Sequence, residues 1–301
     1  MTDLPLFPEF KPLALEDREE INRRLWAYQP TTSELTFINL YIWRSYYDFR
    51  WALLDDWLLI YAAHPERSYA LSPVGPPSRS GATQSLLDWM RDQLGLSEPK
   101  IARADRRLME ELSGLPQFSI EPTRDHYDYV YLSEDLGSLA GRKYSKKRNH
   151  INQFLRSYEH SYATVTPDLV DACLALAEVW CEQRLCEEDI SLTHEFCGIR
   201  DALQNFAALH LEGGAIVIDG KVQAFALGEL LNTQTAVVHI EKANPEFQGI
   251  YPVMTRSFSA RWQPDIPYIN REQDIGDLGL RQAKESYYPD HLVEKFEVRL
   301  A

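Results

Sequence analysis

Residues 213–243 constrain the fold of this chain more than any other stretch. "GGAIVID" (213–219), "KVQAFALGELL" (221–231) and "QTAVVHIEKA" (234–243) are three β-prone runs separated only by Asp219-Gly220 and Asn232-Thr233. Asp-Gly between apolar runs is the strongest short-range hairpin signal, so the three runs fold as an antiparallel meander. The chain beyond residue 243 is equally ordered. "GIYPVMTRSFSARW" (249–262) has helical spacing with Pro252 in its first turn, "IPYIN" is a strand, "DLGLRQAKESYY" a helix, and "HLVEKFEVRL" a closing strand. Two helices precede the meander, over 167–185 (opened by Pro167) and over 195–210.

The first half repeats this order in blurred form. A helix over 15–29 is followed by two β-rich runs joined at Asp55-Asp56 (49–63) and a short strand within 68–75. Helices over 82–95 and 104–114, each closed by glycine, come next, and then the strand "YDYVYL" (127–132). Between the halves lies "GRKYSKKRNHINQFLRSY" (141–158), a helix with six Lys/Arg and no acid. Tyr144, Ile151, Phe154, Leu155 and Tyr158 fall on or near one face of it, so it docks and leaves Arg148 beside the seam. The expected organisation is residues 1–140, a basic connecting helix 141–160, and residues 161–301.

The charge limits the partners. The chain of 301 residues has a formal net charge of −14. Residues 1–150 contribute 19 Lys/Arg against 22 Asp/Glu, and residues 151–301 contribute 12 against 23. Such a surface does not grip DNA, and it disfavours tRNA except through the 142–156 patch. No run of 18 apolar residues is present, and the N-terminal stretch lacks a basic n-region and an apolar h-region, so a cytoplasmic protein without an integral membrane segment is expected. Cys173, Cys181, Cys186 and Cys197 form no C-x-x-C pair and are expected to be reduced, with no metal site. There is no Ser-His-Asp set, metal cluster or complete P-loop to support a hydrolase, metalloenzyme or kinase.

Helices, an antiparallel meander, then strand–helix–strand is the plan of the GNAT acyltransferase fold. Three segments together, "KYSKKRNHINQF", "VVHIEKANPEFQGIYPVMTRSF" and "INREQDIGDLGLRQAKESYYP", resemble the stand-alone family related to the C-terminal catalytic domain of phosphatidylglycerol lysyltransferases. The resemblance implies an α+β chain of two tandem GNAT-like domains, each a mixed, largely antiparallel sheet flanked by helices. It also implies an acyl- or aminoacyl-transferase that moves an activated carboxyl group to an amine or hydroxyl, with acyl-CoA or aminoacyl-tRNA as donor substrate and no tightly bound cofactor. The alternative is a GNAT-like binding module without catalysis.

Residue by residue, the resemblance places Glu241 and Lys242 at a splay between strands, Lys242 facing Arg271 across a shared crevice. Tyr287 or Tyr288 becomes the proton donor to the leaving group. Lys143, Arg148 and Asn149 become anion or carbonyl contacts in an inter-domain cleft. Gln248 and Gly249 match the centre of the phosphate-binding turn, with Tyr251 where a second small residue is usual. Asn270, Gln273 and Asp274 join Arg271 on the opposite wall, and Arg281 and Lys284 meet phosphate or carboxylate. The residues alone also permit blander roles: Asp274 or Asp277 as a helix cap, Arg281 and Lys284 as pairs on a wet helix.

Overall fold

The computed structural model describes residues 4–184, 186 and 190–301. The chain divides into two compact units. Unit 1 comprises residues 1–128, 273–277 and 292–301, and unit 2 comprises residues 129–272 and 278–291. The passage between them thus falls at Asp128–Tyr129, not near residue 140, and the C-terminal residues return to the first unit.

Unit 1 contains β1 (Lys11–Pro12), α1 (Arg18–Tyr28), α2 (Phe37–Tyr47), β2 (Phe49–Leu54), β3 (Trp57–Ala62), β4 (Tyr69–Ala70), α3 (Ser80–Asp92), β5 (Lys100–Ala104), α4 (Arg106–Leu112) and β6 (Phe118–Pro122). The Asp55-Asp56 turn does join two antiparallel strands, with Leu54 opposite Trp57. The α2 helix escapes pattern reading because it is apolar nearly all round: Phe37, Ile38, Leu40, Tyr41 and Ile42 are all buried, and the Thr36 hydroxyl caps it by accepting from Asn39 N–H at 3.1 Å.

Unit 2 begins within β7 (Asp128–Leu132). It continues through α5 (Ser133–Ser138), α6 (Ser145–Ser157), β8 (Ser161–Thr164), α7 (Pro167–Gln183), α8 (Ile190–Gln204), α9 (Phe206–Leu209), β9 (Glu212–Ile218), β10 (Lys221–Asn232), β11 (Thr235–Ala243), α10 (Ile250–Ala260), β12 (Tyr268–Asn270) and α11 (Leu278–Glu285). The expected meander is β9–β10–β11. The helix expected over 167–185 ends at Gln183, and Leu185 lies outside the described residues.

The closing strand expected over 291–300 is two strands, β13 (His291–Val293) and β14 (Phe296–Leu300), and they enter different sheets. The two seven-stranded sheets run β1-β2-β3-β4-β5-β14-β6 and β13-β7-β12-β11-β10-β9-β8. Each combines an antiparallel meander with one parallel pair, β4 with β5 and β11 with β12. In each, the strand beside that pair comes from a distant part of the chain: β14 pairs antiparallel with β5, and β7 with β12. Phe296 and Val298 of β14 sit in the unit 1 core with Leu86, Met90, Ile101 and Leu108. Burying a side chain of that size is worth about 1.5–3 kcal/mol, so β14 is integral to unit 1.

The cysteine expectation is corrected in one respect. Cys181 and Cys186 form a disulfide with their Cα atoms 5.2 Å apart, while Cys173 and Cys197 are free. The two cysteines lie five positions apart on either side of the end of α7 at Gln183, a spacing that a search for C-x-x-C does not register. Among the described residues no helix is long and apolar enough to cross a membrane, and no group of His, Cys, Asp and Glu is arranged to hold a metal ion.

Candidate functional site

The site in unit 2 lies where β11 and β12 part. They pair in parallel only over Thr235–Val237 and Tyr268–Asn270. Beyond that, β11 has a bulge: Leu227 faces Ile240 and Gly228 faces Val238, which leaves His239 without a ladder partner. Two side-chain bridges span the gap. His239 Nδ1 lies 2.8 Å from Glu272 Oε1 and its Nε2 3.0 Å from Glu229 Oε1. Further along, Arg271 Nη2 donates to Glu241 Oε2 at 3.2 Å, and the Thr255 hydroxyl donates to Glu241 Oε1 at 2.8 Å.

Burial lowers the pKa of the His239 ring, but the hydrogen bonds to Glu229 and Glu272 and the charges of those carboxylates outweigh it and lift the pKa to about 9. A histidine whose pKa is raised on folding stabilises fully below its unfolded value and loses that contribution as pH rises through the folded value. We therefore expect unit 2 to lose about 3 kcal/mol between pH 6.5 and 9.5, and His239→Gln to flatten that part of the profile. Denaturation midpoints across this range check it; a slope unchanged by the substitution would contradict the assignment.

Tyr287, from the turn after α11, completes the cluster. It is buried, which raises its pKa, and the Arg271 guanidinium carbon lies 5.0 Å from its ring centroid. The amine of Lys147, from α6, sits 3.9 Å from the same centroid. Lys147 makes no hydrogen bond or ion pair among the described residues, and burial together with the Arg271 charge lowers its pKa. Sequence reading missed Lys147 because it is one of three consecutive basic residues; only the docking of α6 distinguishes it. Arg271 is itself held by its backbone: Lys284 Nζ donates to the Arg271 carbonyl, the Tyr131 hydroxyl donates to the Lys284 carbonyl at 2.9 Å, and Tyr144 donates to the Tyr287 carbonyl at 2.9 Å.

The expected crevice between Lys242 and Arg271 does not form. Neighbouring strand residues point to opposite faces, and Lys242 turns away from Glu241: its amine donates to Glu195 at 2.8 Å and lies 3.5 Å from the Trp180 ring centroid. The partner of Arg271 is Glu241. Several other expected contacts are occupied by structural tasks. Arg148 donates to the carbonyls of Leu139 and Gly141 after α5, at 2.6 and 2.5 Å. Lys143 pairs with Asp135 at 2.8 Å, and Asn149 is exposed on α6. Asn270 is fully buried and accepts from Glu272 N–H at 2.7 Å. Lys284 contacts backbone rather than open space, and Arg281 is half-buried on α11. Tyr288 is exposed and packs edge-on against Tyr144.

Gln273 and Asp274 belong to unit 1. With its amide oriented to satisfy both ends, Gln273 donates to Glu34 at 3.2 Å and to the His126 carbonyl at 3.3 Å. Asp274 is fully buried, pairs with Arg124 at 3.3 Å, and accepts from Gly276 N–H at 2.9 Å.

The turn that resembles a phosphate-binding loop is closed. Gly249 has φ +90°, and a Cβ there would stand 2.5 Å from the His150 carbonyl oxygen of α6. Glycine is required because one backbone crosses another, not to admit a phosphate. Gln248 is exposed and accepts from Gln153 at 3.0 Å; the Tyr251 hydroxyl donates to the Ala243 carbonyl at 3.4 Å. Gly249→Ala is expected to destabilise unit 2 by about 1–3 kcal/mol, read by urea denaturation; a neutral substitution would mean that α6 does not close this turn.

The comparisons agree with this architecture. Residues 27–299 match the family model for the phosphatidylglycerol lysyltransferase C-terminal domain. A crystal structure of a conserved protein of unknown function from Bacteroides thetaiotaomicron is 34% identical, covers 97% of this chain and 99% of its own, and superposes with a TM-score of 0.90. The C-terminal domain of a putative lysylphosphatidylglycerol synthetase from Agrobacterium fabrum has a TM-score of 0.69 at 11% identity, covering 95% of this chain and 92% of its own. A tandem GNAT protein from the clavulanic acid biosynthesis pathway has a TM-score of 0.50 at 11% identity over 96% of this chain and 97% of its own. With two sheets of one plan and a match over nearly its whole length, this chain has the tandem GNAT-like fold and belongs to the family of phosphatidylglycerol lysyltransferase C-terminal domains.

Proposed function

We propose that unit 2 transfers an aminoacyl group, ester-linked to tRNA, onto an amine or hydroxyl acceptor at the gap between β11 and β12. The observation that supports this best is the cluster of Glu241, Arg271, Tyr287 and Lys147: one carboxylate, two cations and a buried phenol beside parted strands. Family membership supports acyl or aminoacyl transfer in general. The closed turn at Gly249, together with Pro252 in the first turn of α10, removes backbone donors that the pyrophosphate of an acyl-CoA would need, and so favours the ester donor.

In this reading the acceptor nitrogen or oxygen attacks the ester carbonyl and forms the new C–N or C–O bond. The carbonyl electron pair moves onto its oxygen, where Arg271 and Lys147 offset the charge. The acceptor proton passes to Glu241. When the tetrahedral species collapses, the C–O bond to the ribose breaks, the departing oxygen takes a proton from Tyr287, and Glu241 returns one through Thr255.

The test is single-turnover loss of radiolabelled aminoacyl ester from tRNA, with phosphatidylglycerol micelles or a small primary amine as acceptor, alongside thiol release from acetyl-CoA. Acceptor-dependent ester consumption without thiol release is expected. Thiol release would overturn the choice of donor, and consumption of neither donor would leave a binding module as the better account.

A further inference from the structure

Two side-chain bridges cross the gap between β11 and the chain that follows β12, and they stand side by side. One is Glu241 with Arg271, in the cluster with Tyr287 and Lys147; the other is His239 with Glu272. Arg271 and Glu272 are consecutive, and His239 precedes Glu241 by two residues on β11. The second bridge reaches further, because the other ring nitrogen of His239 meets Glu229 on β10. Its place in the gap follows from the bulge. Gly228 lies so close to β11 that a Cβ there would run into the Val237 carbonyl oxygen, and His239 is the residue left over beyond that contact.

The ring is held as an imidazolium. Both nitrogens face carboxylates, which only accept when ionised, so both must donate. Glu229 from β10 and Glu272 from the segment after β12 are the charged groups that meet the ring, and its side chain is fully buried between them. One positive charge thus stands between two negative ones. Glu272 needs such an anchor, since its backbone is left-handed, with φ +57°, a conformation that favours glycine. On one side the segment pairs with β7: Arg271 N–H donates to the Tyr129 carbonyl at 2.9 Å, and Tyr129 N–H to the Glu272 carbonyl at 3.1 Å. On the other side the ladder to β11 ends at Asn270, and there the segment is tied by side chains, Arg271 to Glu241 and Glu272 to His239.

We propose that His239 is a positioning residue for the transfer site: by holding Glu272 it fixes the width of the gap and keeps Arg271 on Glu241. Removing the ring, or its charge, leaves Glu229 and Glu272 as neighbouring carboxylates that repel. Glu272 then withdraws, and the Arg271 guanidinium swings away from Glu241 with it. A shift of about 1 Å in a catalytic group is enough to lower a rate by about 100-fold. Because the ring loses its proton only near pH 9, the bridge persists at neutral pH and weakens as pH rises past that value. The consequence for rate rests on the transfer reaction proposed for unit 2; the consequence for Arg271 does not.

The test is modification of the full chain by phenylglyoxal, an arginine-selective reagent, with each site quantified by peptide mass spectrometry and exposed Arg142 as the internal reference. In the wild type, Arg271 is expected to be protected relative to Arg142 at neutral pH and to lose that protection as pH passes about 9. His239→Gln should raise the Arg271 to Arg142 ratio about tenfold at neutral pH, the factor that loss of one charge-assisted hydrogen bond corresponds to. Adding Glu229→Gln removes the repulsion and should restore protection, a rescue that a purely structural histidine does not predict. In the transfer assay His239→Gln should lower kcat by about 10–100-fold with KM little changed, and the double variant should recover part of it. A wild-type ratio that stays flat through pH 9, or a folded His239→Gln with wild-type protection of Arg271, would overturn the proposal. If protection responds as expected while neither donor is consumed, His239 still positions Arg271 and the transfer reaction is what fails. If His239→Gln consumes donor at the wild-type rate, the reaction stands and the positioning role falls.

Discussion

Lys295→Ala is expected to cost unit 1 about 3–5 kcal/mol, the loss typical of breaking a buried ion pair from one side. The Lys295 amine is fully buried and donates to both oxygens of Glu34 at 2.7 Å and to Asp128 at 2.6 Å. Glu34 and Asp128 are themselves buried, and Asp128 also accepts from the Ser33 N–H at 2.8 Å and its hydroxyl at 2.9 Å. Without the lysine, the two buried carboxylates are left with Arg103, 3.6 Å from Glu34, which offsets only part of their charge. Burial already raises the Glu34 pKa against the pull of Lys295, and Asp128 adds to the rise. Proton uptake by Glu34 on folding therefore favours the folded state at low pH and fades as pH increases, so the deficit of the variant should shrink on acidification. Urea denaturation at neutral and mildly acidic pH reads both effects. Adding Glu34→Gln and Asp128→Asn to Lys295→Met should recover most of the loss; if it does not, packing rather than charge explains the defect.

Arg271→Ala is expected to lower kcat for the proposed aminoacyl transfer by about 10²–10³, the usual consequence of removing a donor aimed at developing oxyanion charge. Its hydrogen bond to Glu241 and its place beside Tyr287 make it the hub of the cluster. Arg271→Lys keeps the charge but loses the planar fork, and should recover only part of the rate. Lys147→Ala should lower kcat less, because Arg271 remains. Steady-state kinetics with melting curves separates these effects from instability. Wild-type turnover by Arg271→Ala would remove the residue, and with it this chemistry, from the site.

Local patterns are readable where one segment decides its own structure. The meander follows from Asp219-Gly220, the first hairpin from Asp55-Asp56, and α6 from the spacing of Tyr144, Ile151 and Phe154. Glu241, Arg271 and Tyr287 are all identifiable in the sequence, and they meet. The crevice fails at Lys242, where strand alternation sends adjacent residues to opposite faces. Lys147 is invisible because identical charges at 146, 147 and 148 differ only in what α6 packs against. The sheet assignment of β7 and β14 is out of reach because both are pairings between segments far apart in sequence, and no short-range pattern encodes them.

Those long-range pairings set the order in which the molecule matures during translation. The first sheet cannot close until β14, at residues 296–300, has been made, so the unit synthesised first is finished last. At roughly 5–20 residues per second, the ribosome takes on the order of ten seconds to travel from the end of β6 to β14. Throughout that interval β5 and β6 lack the strand that separates them, and their bare edges invite capture by chaperones or by neighbouring nascent chains.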